Sequence, residues 1–231
     1  MIGFEQDGRV GHLYLQRSSH ANKFTSEMLG RIAEVMVSAK GEADIIVIHA
    51  VGDDFSLGRD REEPENPKGP YASFNEISRV NAAFAAFPGI IVTAVKGRTY
   101  GFGLGIVMRS DIAIAADDCR FMLDEVSLGF PPMFLMEVIL DHLPPKRAFD
   151  LILSSREFNA AEAYEMGLLS RKVLKNKLER EVDDFVNLLS DRNSEVIKSC
   201  KAYLKTIKQI PTAARPNYAL VEQVQFALDH H

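Results

Sequence analysis

The chain of 231 residues reads as an α/β protein with a helical C-terminal region. Three observations point there. The runs "DIIVIHA" (44–50) and "GIIVTAV" (89–95) are continuously apolar, as strands covered on both faces are. Helical periodicities lie between such runs. After Pro131-Pro132 nearly every segment is patterned as helix.

Taken in order, "RVGHLYLQ" (9–16) alternates as a half-buried strand does. Thr25-Ser26 can cap a helix with the apolar stripe Met28/Leu29, Ile32 and Val35/Met36, ended by Gly41. The strand 44–50 follows. A helix over about 73–87 carries Phe74, Ile77, Val80, Phe84 and Phe87 and stops at Pro88. Next come a strand (90–96), a short helix (102–109), the strand "DIAIAA" (111–116) and the short strand "RFM" (120–122). In "NAAEAYEMG" (159–167), Asn159 caps a helix, Glu162 stands in capping-box position and Gly167 is the stop. "LLSRKV" (168–173) reads as a strand, and helices fall near 175–190, 194–209 and 215–229. "RDREEPENPKGP" (59–70) holds three prolines and seven charged residues, so it is expected to be a mobile surface loop that cannot bury itself.

Bulk properties exclude several classes of function. With 27 Lys and Arg against 32 Asp and Glu the formal charge is -5, which argues against a broad nucleic-acid footprint. Cys119 and Cys200 lie far apart without a metal or redox spacing, so neither a disulfide framework nor a zinc site is indicated. The start, "MIGFEQDGRV", carries acids where a secretory signal is apolar. The longest apolar run (82–95) is interrupted by Pro88-Gly89 and is shorter than a membrane helix. A cytoplasmic location is expected. His12, His20, His49 and His142 lack metal-ligand spacing and read as structural, and His230 and His231 end the chain.

The stretch "TYGFGLGIVMRSD" (99–111) sets glycines at 101, 103 and 105 between an apolar run and a short helix. Such a loop lets a ligand approach the main chain, and a helix N-terminus behind it offers unpaired N–H groups. A dinucleotide fingerprint fits poorly. Ile106 stands where its third glycine would be, and the following helix is too short for the βαβ unit such a fingerprint needs. Tight strand-to-helix packing alone would also explain the glycines. A second loop, "DDFSLGRD" (53–60), likewise follows a buried strand and contains a glycine, Gly58. Two such loops at the ends of neighbouring strands can each give one N–H to a single oxyanion.

Four segments together resemble the enoyl-CoA hydratase/isomerase, or crotonase, family over nearly the full chain. They are "ANKFTSEML" (21–29), "FSLGRD" (55–60), "GRTYGFGLGIVMRSDIAIAADDCRFMLDEVSLGFPP" (97–132) and "FNAAEAYEMGLLSRKV" (158–173). The resemblance implies a crotonase-like spiral of ββα turns over residues 1–190 with the acyl-CoA site. It also implies a helical oligomerisation region over 191–231, and a homotrimer or hexamer. It implies no permanently bound cofactor, coenzyme A being part of an acyl-CoA thioester substrate, and no metal. By position the two N–H donors fall on Leu57 and Phe102. Phe55, Ser56, Gly58, Arg59, Asp60, Gly101, Gly105, Phe130 and Pro132 would form the substrate site. Lys23, Arg59, Arg61 and Lys96 are possible phosphate partners, or solvated surface charges. In the family pattern, further helix with a basic residue near the coenzyme follows beyond the position of His231.

The chain departs from the pattern at one of the family's two glutamates. The second glutamate is Glu125, preceded by Asp124 in place of proline, but the first position holds Gly105, which can neither carry a proton nor anchor a water. Glu125 sits among Leu123, Val126, Leu128 and Phe130, an apolar setting that raises a carboxyl pKa and suits a general base; a structural carboxylate at the turn is the other reading. Asp124 can supply a second acid, although successive residues of an extended segment point opposite ways. His49, Tyr100 and Asp60 are further polar candidates. The expected chemistry is double-bond isomerisation through a thioester enolate. Hydration by an altered acid set, or a catalytically silent CoA-thioester-binding protein, are the alternatives.

Overall fold

The computed structural model describes residues 1–64 and 66–229; Glu65 of the charged loop and the terminal His230 and His231 lie outside the described residues. Strands β1 (Ile2–Asp7) and β2 (Val10–Leu15) form an antiparallel hairpin turned at Gly8, whose φ is +55°. Helix α1 (Ser26–Ser38) begins where the Thr25 hydroxyl accepts from Met28 N–H at 3.2 Å, and it buries Met28, Leu29, Ile32 and Val35. Next come β3 (Ile45–Ala50), α2 (Pro70–Ala86), β4 (Ile90–Val95), β5 (Arg98–Tyr100) and α3 (Phe102–Arg109). They are followed by β6 (Ile112–Ala116), β7 (Arg120–Met122), α4 (Met133–Ile139), α5 (Pro145–Ser154), β8 (Phe158–Asn159), α6 (Ala160–Glu165) and β9 (Arg171–Val173). Three helices complete the chain: α7 (Leu178–Ser190), α8 (Ser194–Ile207) and α9 (Arg215–Asp229).

Six strands form one sheet in the order β1-β2-β3-β4-β6-β9, parallel except for the β1 edge. A smaller sheet has the order β5-β7-β8, and Ser56 joins it through a parallel bridge to Thr99. The turns β4-β5-α3 and β6-β7-α4 each put one strand in the large sheet and a second in the small one before a helix returns, whereas β1 and β2 both lie in the large sheet. The continuous apolar runs are explained: β3, β4 and β6 have neighbours on both edges and are buried on both faces. The C-terminal helices α7 and α8 both pack back on the sheet. Lys201 is buried there, donating to Gly89 O and to Asp111 Oδ2, both at 2.6 Å.

Several expectations need correction. The edge strand β1 and the short β5 and β8 were not anticipated from periodicity, being half-exposed or only two or three residues long. The strand expected over 168–173 pairs only from Arg171, because Leu168 and Leu169 are buried in the connection from α6. Asn159 does cap α6, accepting from Glu162 N–H at 2.9 Å, but the Glu162 carboxylate pairs with Arg156 instead of closing a capping box. The charged segment 59–70 does not lie wholly at the surface. Its first two residues are built into the fold: Asp60 is buried against Arg17 at 2.7 Å, and α2 begins at Pro70.

Candidate active site

The loop after β3 enters the core at Phe55 and Ser56, both fully buried. Ser56 uses its main chain on β5, with N–H to Arg98 O and O from Tyr100 N–H, and its hydroxyl donates to Asn22 O at 2.8 Å. Leu57 N–H donates to Ala21 O at 3.0 Å, and Gly58 N–H to Ser56 Oγ at 3.2 Å. Phe24 then binds the loop on one side, its N–H reaching Gly58 O at 2.8 Å and its carbonyl accepting from Asp60 N–H at 2.9 Å. A parallel bridge of this kind directs the N–H of the intervening residue, Arg59, away from Phe24. From 55 to 60 it is the one amide without a hydrogen-bond partner among the described residues.

This corrects the expected donor pair. Leu57 N–H is committed to Ala21, so the free amide of this loop belongs to Arg59. The second expected donor, Phe102, is the first residue of α3 and has no intrahelical acceptor. Glycines bring the two loops into main-chain contact. A Cβ on Gly58 would lie 3.2 Å from Tyr100 O and 3.4 Å from Phe102 N, and one on Gly103 would lie 2.7 Å from Ser56 O.

A cavity of about 760 Å³ opens beside these amides. Of the residues singled out in the sequence, Leu57, Arg59, Asp60, Phe102, Glu125, Phe130 and Pro132 line it. Phe55, Ser56, Gly58, Gly101 and Gly105 do not; the first two are core, Gly58 and Gly101 shape the backbone, and Gly105 is buried inside α3. Phe74 and Ile77 were read as core stripe on α2, yet both face the cavity, Phe74 with its ring 6.3 Å from that of Phe134. Ser73, Pro131, Met133, Phe134 and Leu135 also line it and were not singled out. The only available signal was the apolar run after Pro131-Pro132.

Glu125 follows β7 and opens a short 3-10 turn at 126–128. Burial pushes its carboxyl pKa up to about 7, with the neighbouring Asp124 charge adding to the rise and Arg61 opposing it. Its Oε2 is buried without a hydrogen-bond partner among the described residues. Asp124 is raised by burial as well. The expectation that these neighbours point apart is overturned, for both line the cavity. Glu125 has helical backbone angles (φ −59°, ψ −43°), so the segment has stopped being extended.

The remaining candidates are elsewhere or occupied. The Arg59 guanidinium is bound to Phe24 O, Ser26 and Glu63, so its side chain is not a free phosphate partner. Arg61 lies over the Phe130 ring at 4.9 Å and has no ion-pair partner among the described residues. Lys23 and Lys96 do not line the cavity. His49 contacts His12 at 3.1 Å and stacks on Tyr14, and burial pushes its pKa down to about 4. Tyr100 donates to Glu157 at 2.5 Å, and burial with that bond pushes it up to about 12. Asp60, though at the cavity, is held by Arg17. Among the described residues no group of three potential ligands is arranged around a metal site, and no helix is long and apolar enough to cross a membrane.

Comparison with known proteins gives the family. The family described as enoyl-CoA hydratase/isomerase matches residues 5–226. The Mycobacterium bovis protein named "Probable enoyl-CoA hydratase echA8" is 28% identical over 200 residues, covering 85% of this chain and 78% of that one. The mouse mitochondrial enoyl-CoA hydratase domain-containing protein 3 is 28% identical over 228 residues, 95% of this chain and 74% of its own. Among solved structures, an enoyl-CoA hydratase of Mycobacterium smegmatis superposes with TM-score 0.90 at 21% identity, over 99% of this chain and 91% of the other. A Thermobifida fusca protein of the enoyl-CoA hydratase type, solved with CoA, gives TM-score 0.90 at 23% identity, over 99% and 93%. With the match spanning residues 5–226, which include both loops and Glu125, the chain belongs to the enoyl-CoA hydratase/isomerase family of enzymes.

Proposed function

We propose that the protein binds an acyl-CoA thioester and moves a carbon–carbon double bond within its acyl chain, with Glu125 as the base. One observation carries the reading: a carboxyl raised to about 7 faces an apolar cavity lined by Arg59 and Phe102, whose N–H groups have no partner among the described residues. Glu125 takes a proton from the carbon next to the thioester carbonyl, and the released electron pair gives a dienolate. Its oxygen lies between the two amides; losing one such donor typically costs ~2.7–4 kcal/mol. Return of a proton two carbons along gives the conjugated thioester. The CoA-bound relative supports the ligand class, and the apolar lining suits a hydrocarbon acyl chain.

Hydration is the less favoured reading, because position 105 has no side chain and the adjacent space is filled by Leu135. The test is a panel of 2-enoyl, 3-enoyl, β-keto and malonyl-type CoA thioesters followed by mass spectrometry. Conversion of the 3-enoyl to the 2-enoyl thioester is expected, and rapid hydration of the 2-enoyl thioester overturns the reading. We further propose a cytoplasmic trimer or hexamer, since α9 leaves Leu220, Val221, Val224 and Leu228 exposed. Light scattering tests the assembly, and a species near 26 kDa at micromolar concentration refutes it.

A further inference from the structure

Gly101 has φ +48°, and the point its Cβ would occupy lies 2.8 Å from Asp124 Oδ1 and equally 2.8 Å from Glu125 Oε1. Two carboxyls from adjacent residues thus converge on one small volume of the cavity wall, directly before the Phe102 amide. Apart from their own backbone amides, neither carboxyl has a hydrogen-bond donor among the described residues. The charged groups facing them are few. Arg61 acts on both and Lys23 on Asp124, while Arg59 and Asp60 on the adjoining loop are committed to Glu63 and Arg17. From α2 and the 130–135 segment the lining is Ser73 and apolar side chains. Two half-buried carboxyls so placed resist double ionisation, and the pair retains a proton where a lone exposed acid would have lost it.

We propose that Asp124 is a second catalytic carboxyl, holding a proton beside Glu125 and delivering it to the substrate. The proposal rests on reading the cavity as an isomerisation site. In the reactive state Glu125 is ionised and Asp124 protonated. Glu125 removes the proton from the carbon next to the carbonyl, and the C–H electrons form the dienolate. The Asp124 O–H bond breaks as its proton bonds to the γ-carbon, the dienolate electrons returning to make the conjugated double bond. Asp124 is left as the carboxylate and Glu125 as the acid; once the product leaves, Glu125 gives its proton to solvent water and Asp124 takes one from it, which restores the pair. One hydrogen leaves the α-carbon and one arrives at the γ-carbon, and water exchanges protons without being consumed.

The hydrogen that arrives is therefore not the one that left. A 3-enoyl-CoA deuterated at the α-carbon, isomerised in ordinary water, is expected to give product with little deuterium at the γ-carbon. In Asp124→Asn a single carrier remains, so γ-deuterium rises several-fold, kcat falls about 10²-fold and KM stays within about twofold; Asp124→Glu recovers part of both. Equal label in wild type and Asp124→Asn, or an unchanged kcat, overturns the proposal. Carboxyl-carbon NMR titration of the wild-type protein gives a readout independent of turnover and of variant folding. Two linked titration steps for Asp124 and Glu125 support the pair, and two independent ones overturn it. If the 3-enoyl thioester is not isomerised at all, the isomerase reading fails, whereas the titration still decides whether the carboxyls share a proton.

Discussion

Leu135 occupies the space that a side chain on Gly105 would need: a Cβ on that glycine would lie 2.6 Å from Leu135 Cδ2. The missing carboxylate is therefore not a simple deletion, since the cavity wall has closed over its place. Gly105→Glu alone is expected to overpack α3, at about 1–3 kcal/mol, without conferring hydration. Combined with Leu135→Ala the new carboxylate gains room, although Arg109 Nη1, 3.5 Å from the same point, competes for it. Slow hydration of a 2-enoyl thioester is expected in the double variant only. Equal hydration by the single variant would contradict the packing argument.

Glu125→Gln should reduce isomerisation about 10²–10⁴-fold while leaving acyl-CoA affinity nearly unchanged. Full activity in this variant would mean that another group is the base.

The pH dependence follows from the same carboxyl. Glu125 must be ionised as the base while Asp124 keeps the pair's one proton, so kcat/KM should be bell-shaped and fall as pH rises through about 7 and that last proton is lost, whereas a lone Glu125 base would give a rise there. Stability depends on the same carboxyl. The folded-state value stands above the ordinary 4.5, so the native state binds more protons between these limits and loses stability as pH rises through that window. Glu125→Gln is therefore expected to stabilise the protein at pH 8, by up to about 3 kcal/mol, and to lose that advantage by pH 4.5. Denaturant titrations at the two pH values check this; an equal effect at both would show that the carboxyl is not raised.

Gly58→Ala places a methyl group in a left-handed backbone (φ +79°) and against the Tyr100 and Phe102 main chain. Displacement of one donor predicts a fall in kcat of up to about 10²–10³-fold. Leu57→Ala leaves the Ala21 bond in place and should have far less effect on kcat. Steady-state kinetics of the pair distinguishes donor geometry from loop packing.

Lys201→Ala leaves Asp111 and Gly89 O without their buried cation and should destabilise the protein by about 3 kcal/mol. Thermal denaturation measures it. An unchanged Tm would show that α8 is held by other contacts.

The layout of the chain was largely legible because its strongest signals are local. Continuous apolar runs marked β3 and β4, and Thr25, Asn159 and Gly167 punctuated their helices as their types suggest. The hairpin strand β1 was missed despite the Asp7-Gly8 turn signal, since Glu5, Gln6 and Asp7 blur its alternation. In the candidate site, motif and spacing singled out Glu125 and Phe102, and the structure places both at the cavity. The Arg59 amide was not singled out, because which of Leu57 and Arg59 keeps a free N–H depends on hydrogen bonds to Ala21 and Phe24, more than thirty positions away in the sequence. Asp124 was misjudged for a similar reason: one residue's change from extended to helical backbone angles turns its neighbour onto the same wall.

The bridge between Phe24 and Arg59 has a consequence for how this enzyme can vary. An amide aimed by main-chain register is carried by any amino acid except proline at that position. A saturation-mutagenesis map of catalysis would accordingly lose the amide itself at residue 59 only with proline; other substitutions there act by releasing the Phe24 carbonyl, Ser26 and Glu63 from the guanidinium, and the map would darken at Gly58 and at the buried Phe24. Selection on the donor acts on the frame that aims the amide, and the Arg59 side chain belongs to that frame.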